Sequence, residues 1–244
     1  MDEAKIATRG LFVTGTSTDV GKTYVTALLG RAARAAGLGV GAYKPVCTGD
    51  QLDQAASHQR TDVDELAQAI GRPDLSDRVG PQRFQAPLAP PVAAQLENRS
   101  VNEQLLIDGL EWWQGRVDVL LVEGVGGLLC PLTDTNTVAD FAWQVGFPVL
   151  IVASMELGTI NHTLLTVEVA QHRGLEVCGI VMNQSHPSQD ISAENQTPVQ
   201  IASRCHVPVL GVIPWKSEPE LRCQSSKVTM GWLNLAAERS VRSR

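Results

Sequence analysis

Short continuous apolar runs alternate along this chain with longer segments whose apolar residues recur at helical spacing. The first run, Gly10-Leu11-Phe12-Val13-Thr14, has no polar alternation, as a strand covered on both faces requires. Val40–Tyr43, Val117–Val122, Val149–Ala153, Val177–Met182 and Val209–Ile213 repeat it. Helical spacing appears over Tyr24–Arg34, Thr61–Ile70, Ser100–Gln114, Thr137–Val145, Asn161–Arg173 and Pro198–Cys205. Gly37 and Gly39 close the first of these helices; Thr61 caps the second and Gly71 ends it. Ser100-Val101-Asn102-Glu103 reads as a capping box. Loops are expected at Val46–Gly49, over the polar Asp50–Arg60, over 71–91 with Pro73, Pro81, Pro87, Pro90 and Pro91, and over Ser185–Thr197. One helix is expected from about Lys227 onward. Strands alternating with helices predict an α/β fold, a mostly parallel sheet with helices on both faces. No repeat or linker divides residues 1–244, so a single domain is expected.

Between the first strand and the first helix lies Gly15-Thr16-Ser17-Thr18-Asp19-Val20-Gly21-Lys22-Thr23. Strand, glycine-containing turn and helix form the setting of a phosphate-binding loop. Backbone N–H groups there point at a phosphate, and the helix dipole favours its charge. Lys22 would reach the β- and γ-phosphates, and the Thr23 hydroxyl would hold Mg²⁺. Thr16 stands where the general pattern has its first glycine.

Other strand ends deliver Lys44, Glu123, Asn183 and Pro214, and in an open sheet such ends lie along one crevice. Glu123 facing a phosphate loop is placed to hold Mg²⁺; the alternative is a solvated loop acid. Glycines 124, 126 and 127 let the backbone pass close to a ligand. Lys44 is a site lysine or a surface lysine before a turn. Asp62 and Asp64 are, from pattern alone, helix N-terminal acids favoured by the dipole.

The chain has 244 residues, net charge −6 and five cysteines. No long basic run argues for nucleic acid. An odd cysteine count without a C-x-x-C pair argues for reduced thiols rather than disulfides or zinc. No apolar leader or stretch approaching a membrane span occurs, so a soluble cytoplasmic protein without membrane partners is expected.

Five stretches in order resemble the dethiobiotin synthetase family: 13–23, Tyr43-Lys44-Pro45-Val46, Val122-Glu123-Gly124-Val125-Gly126-Gly127, Leu157-Gly158-Thr159-Ile160-Asn161-His162 and Gly211-Val212-Ile213-Pro214-Trp215. The resemblance implies a P-loop fold, a homodimer, and ATP- and Mg²⁺-dependent conversion of 7,8-diaminononanoate and CO₂ to dethiobiotin, ADP and phosphate. It gives Lys22 and Lys44 the transferring phosphate and the carbamate, with Thr18 and Asp19 beside them. It gives Val20, Gly21, Thr23, Tyr24, Gly124, Val125 and Gly126 to the nucleotide, and Asn183, Gln184, Val212, Ile213 and Pro214 to its adenine side. Mg²⁺ would be held by Thr23, Glu123 and Asp62, with Asp64 the second choice. Thr48, Lys44, Gly158 and Asn161 would bind substrate, the last two in the partner subunit's site. Ser17 stands where the family often carries Asp. Partitioning-type ATPase switches are the competing class, but their signature lysine would fall at Ser17.

Overall fold

A computed structural model describes residues 8–50, 61–186, 191–215, 231, 234 and 236–238. Its centre is a seven-stranded sheet. In chain order its strands are β1 (Arg9–Gly15), β2 (Val40–Tyr43), β5 (Val119–Glu123), β6 (Val149–Ser154), β7 (Val177–Asn183), β8 (Val209–Ile213) and β9 (Ala237–Glu238). The spatial order is β2-β5-β1-β6-β7-β8, every neighbouring pair parallel. β9 alone runs antiparallel, pairing with Arg9 and Gly10 of β1. Residues on both faces of β1, β5 and β6 are buried: Leu11, Phe12 and Val13, then Leu120, Leu121 and Val122, then Leu150, Ile151 and Val152, are all fully inaccessible. Continuous apolar runs were therefore the right signature, since a parallel strand under helices has no solvent face to mark with polar residues.

Eight α-helices are described: α1 (Lys22–Ala35), α2 (Asp62–Ala69), α3 (Ser76–Val79), α4 (Pro90–Leu96), α5 (Glu103–Trp113), α6 (Val138–Val145), α7 (Thr159–His172) and α8 (Ile191–Ala202). α1 buries Val25, Leu29 and Ala33 at i, i+4 and i+8. Close packing of α5 on the sheet edge depends on Gly41, where an added Cβ would lie 2.6 Å from the Trp113 ring.

Several expectations need correction. Val46–Gly49 is not a loop: β3 (Val46–Thr48) pairs in parallel with β4 (Gln82–Phe84) in a two-stranded sheet of its own. The proline-rich 71–91 stretch is likewise built up, holding a 3₁₀ turn at Pro73–Leu75, α3, β4 and the start of α4. Proline starts helices as readily as it breaks them, because the first helical N–H needs no partner; Pro90 and Pro91 open α4. Asn102, not Ser100, caps α5, its Oδ1 accepting from the Leu105 N–H at 3.2 Å. α8 begins at Ile191 and contains Pro198, which had looked like its start. The polar run Ser192–Thr197 carries no apolar stripe to reveal it. The polar 51–60 stretch and most of the expected C-terminal helix lie outside the described residues; 237–238 are strand.

Candidate active site

β1 sits between β5 and β6, with β2 reached on one side and β7 on the other. The carboxyl ends on either side of that reversal open onto a cavity of about 930 Å³. Thr18, Asp19, Gly21, Lys22, Thr23 and Tyr24 line it from the turn after β1 and the start of α1. Lys44 and Thr48 line it from β2 and β3, Asp62 from α2, and Val125 and Gly126 from the loop after β5.

The turn after β1 is shaped by its backbone. Gly21 has φ +91°, and an added Cβ would collide with the Asn183 amide. Asp19 also takes positive φ, at 59°. Gly21 therefore must be glycine, for conformation and for space alike. Asn183, at the end of β7, is buried and donates from Nδ2 to the Val20 carbonyl at 3.0 Å. Lys22 is buried and donates from Nζ to the Ser17 carbonyl at 2.9 Å. That acceptor is main chain, so serine in place of aspartate at 17 leaves this contact intact. Burial pushes the Lys22 ammonium below its ordinary pKa and Lys44 adds to this, against the opposing pull of Glu123 and Asp62.

Lys44 occupies the centre of the site. Its Nζ donates to Glu123 Oε1 at 2.9 Å, to Thr23 Oγ1 at 3.3 Å and, in a short contact, to Asp62 Oδ2. Thr23 Oγ1 donates to Glu123 Oε1 at 2.7 Å. Burial disfavours the Lys44 charge, but Glu123 and Asp62 outweigh burial and hold its pKa above the usual lysine value. Burial raises the Asp62 carboxyl, and Lys44 more than offsets this, leaving it below the ordinary value. Glu123 is buried, and its Oε2 has no hydrogen-bond partner among the described residues. Three oxygens, from Thr23, Asp62 and Glu123, thus already gather round one cation, the lysine ammonium. Asp64 faces away from this cluster into the α2 capping box, where its Oδ2 accepts from Thr61 Oγ1 at 2.9 Å.

Other residues singled out from sequence lie elsewhere. Gln184, Val212, Ile213 and Pro214 sit together at the ends of β7 and β8, where the Gln184 N–H donates to the Ile213 carbonyl at 2.9 Å; they do not line the cavity. Gly124 is buried at the end of β5, its N–H donating to the Val13 carbonyl. Gly158, with φ +93°, precedes α7, and Asn161 is exposed on its first turn; neither lines the cavity of its own chain. Sequence reasoning missed Cys47, Asp50, Thr61, Cys130 and the Pro87-Leu88-Ala89-Pro90 wall. Only the proline cluster could have hinted at an ordered wall. Among the described residues no group of three or more His, Cys, Asp or Glu could hold a metal, and no helix is long and apolar enough to cross a membrane.

Residues 9–220 match the AAA domain family. A cobyrinic acid a,c-diamide synthase from Mycobacterium smegmatis, solved with ADP and magnesium, superposes with TM-score 0.54 at 18% identity, over 93% of this chain and 94% of that one, which shows the P-loop fold. The ATP-dependent dethiobiotin synthetase of Caulobacter vibrioides is 44% identical over 75% of this chain and 83% of its own. That of Anaeromyxobacter sp. strain K is 42% identical over 91% of this chain and 97% of its own. With that identity along nearly the whole of both chains, this chain belongs to the dethiobiotin synthetase family.

Proposed function

We propose that this chain joins 7,8-diaminononanoate and CO₂ into the cyclic urea dethiobiotin at the expense of ATP, a step of biotin biosynthesis. The observation that carries the reading is the Lys44 cluster. A second cation, outside the phosphate loop, is held beside the loop's own lysine and hydroxyl. A plain phosphate-binding loop needs Lys22 and Thr23; it does not need Lys44.

The chemistry asks for this arrangement. One amine of the substrate takes up CO₂ as a carbamate, a poor electrophile. A carbamate oxygen attacks the γ-phosphorus of ATP, ADP leaves, and a carbamic-phosphoric anhydride results. The second amine attacks the carbamoyl carbon, the C–O bond breaks, phosphate leaves and the amine proton is lost. The first step brings two anions together, so it needs positioning and positive charge rather than a protein nucleophile. Lys22 and the N–H groups of the turn hold the phosphates. Lys44 offsets the repulsion between carbamate and γ-phosphate, an effect greatest in the transition state. Thr18 and Asp19 border the same space, Thr48 offers the substrate a hydroxyl, and Asn183 with 184 and 212–214 forms the adenine side.

Mg²⁺ fits the oxygens present. Thr23, Asp62 and Glu123 supply hard donors, and Glu123 Oε2 is a buried acceptor with no hydrogen-bond partner among the described residues. Mg²⁺ commonly uses one or two carboxylates and takes its remaining ligands from phosphates and water. When bound it would neutralise charge building on the transferring phosphate. A homodimer suits Gly158 and Asn161, which stand away from their own cavity and would serve the partner's. The test is phosphate release from ATP, measured with each substrate omitted in turn. Release should need both the diamine and bicarbonate; release unaffected by either would remove the proposal.

A further inference from the structure

Asp50 lies at the cavity wall and plays no part in the chemistry above. It follows β3, where the Gly49 N–H donates to the Ala86 carbonyl and the Asp50 N–H to the Phe84 carbonyl, each at 3.1 Å. These bonds fix its backbone to the strand β4 side. Its side chain is fully inaccessible, yet both carboxylate oxygens lack a hydrogen-bond partner among the described residues. Arg83 is its neighbour, with Nε 3.6 Å from Oδ2, but that N–H is spent on the Gly80 carbonyl at 3.1 Å. Arg83 Nη2, 3.8 Å from Asp77 Oδ1, is likewise buried without a hydrogen-bond partner among the described residues, so the guanidinium balances charge without filling the acceptor sites. A buried carboxylate left in that state is costly, and its persistence points to a donor arriving from outside the chain. Burial accordingly raises its carboxyl, against Arg83.

The other carboxylates lining the cavity are differently placed. Asp62 is engaged by Lys44, and Asp19 is exposed. What Asp50 lacks is a compact cation with several N–H donors, and a primary ammonium has that chemistry. We infer that Asp50 receives the amine-bearing end of the substrate, positioning it in the cavity shared with Lys44 and selecting a diamine over a monoamine. This rests on the proposed function above. Asp50 is a positioning and specificity residue; the phosphoryl step does not involve it.

The test is calorimetric titration of the full chain with 7,8-diaminononanoate, with 8-aminononanoate and with ATP. In Asp50→Asn the diamine should bind roughly 10- to 100-fold more weakly, the usual effect of losing a charge-assisted hydrogen bond, with ATP affinity unchanged and preference over the monoamine reduced. Asp50→Glu should recover part of both. Arg83→Gln, which keeps the carboxylate, should keep the preference for the diamine. Diamine affinity in Asp50→Asn within about twofold of wild type would overturn the inference, leaving Asp50 as the counter-ion of Arg83. If Asp50→Asn fails to fold, Asp50→Ser, which also removes the carboxylate, carries the same decision: diamine affinity there within about twofold of wild type overturns it. Dethiobiotin formed by the wild type with unchanged binding in the variants would sink the Asp50 role alone. A wild type that forms no dethiobiotin would sink the function itself.

Discussion

Replacing Lys44 by Gln should cost stability as well as rate. Its ammonium pairs with Glu123 at 2.9 Å, with side-chain exposures of 5% and 0%. Breaking a buried pair by removing one partner leaves an uncompensated charge and typically costs about 3–5 kcal/mol. The pair with Asp62 adds little, because that carboxylate is 49% exposed and screened. At about 2–4 °C per kcal/mol for a chain of 150–250 residues, the melting temperature of Lys44→Gln should fall by roughly 6–20 °C. Glu123→Gln removes the charge that Lys44→Gln strands, so the double variant should be more stable than the two single losses sum to. Thermal unfolding of the four proteins, without nucleotide, measures that coupling. Turnover of the surviving Lys44→Gln protein, assayed below its melting point, should fall roughly 10²–10³-fold, as for loss of one preorganised donor. Lys44→Arg should restore only part, since a planar fork does not replace a compact point charge. A coupling energy near zero together with wild-type turnover would remove Lys44 from both the stability and the mechanism argued for it.

Further outcomes follow from the same contacts. Glu123→Gln should raise the Mg²⁺ concentration needed for half-maximal activity, and a titration superposable on wild type would exclude it as a metal ligand. Asn183→Ala leaves the Val20 carbonyl unpaired, so it should cost about 1–3 kcal/mol by urea unfolding and weaken ATP binding. The Asp62 carboxyl lies below its ordinary value of 3.8, so the stability it contributes is present above that pH and lost as pH falls through its lower folded value. Asp62→Asn should abolish that acid-side loss, as read from unfolding curves at a series of pH values. Light scattering at assay concentrations should give twice the chain mass; a monomer would remove Gly158 and Asn161 from the partner's site.

Strand-borne features were legible because they are local. The limits of β2 and β8 follow from apolar runs, and Lys22, Lys44 and Glu123 follow from standing at the ends of such runs. Choosing between Asp62 and Asp64 was beyond pattern, since both are acids in the first turn of α2. The capping box decides their directions, and it appears only once the side chains are placed. Asn183 steadies a turn 163 residues away, and nothing in either segment announces that bond. β3 and β4 are three residues each and stabilise one another across the intervening α2, 3₁₀ turn and α3, so neither has a period long enough to read. Asp50 sat in what looked like a polar loop; its burial is a tertiary fact.

The proposed reaction requires a carbamate oxygen, not water, to attack ATP. Reacting ¹⁸O-labelled bicarbonate with the diamine and MgATP over times short against exchange with water decides this. Breaking the anhydride at its C–O bond should carry one label into the released phosphate, alongside dethiobiotin. Phosphate whose new oxygen comes from the solvent would contradict it and leave a simple ATPase.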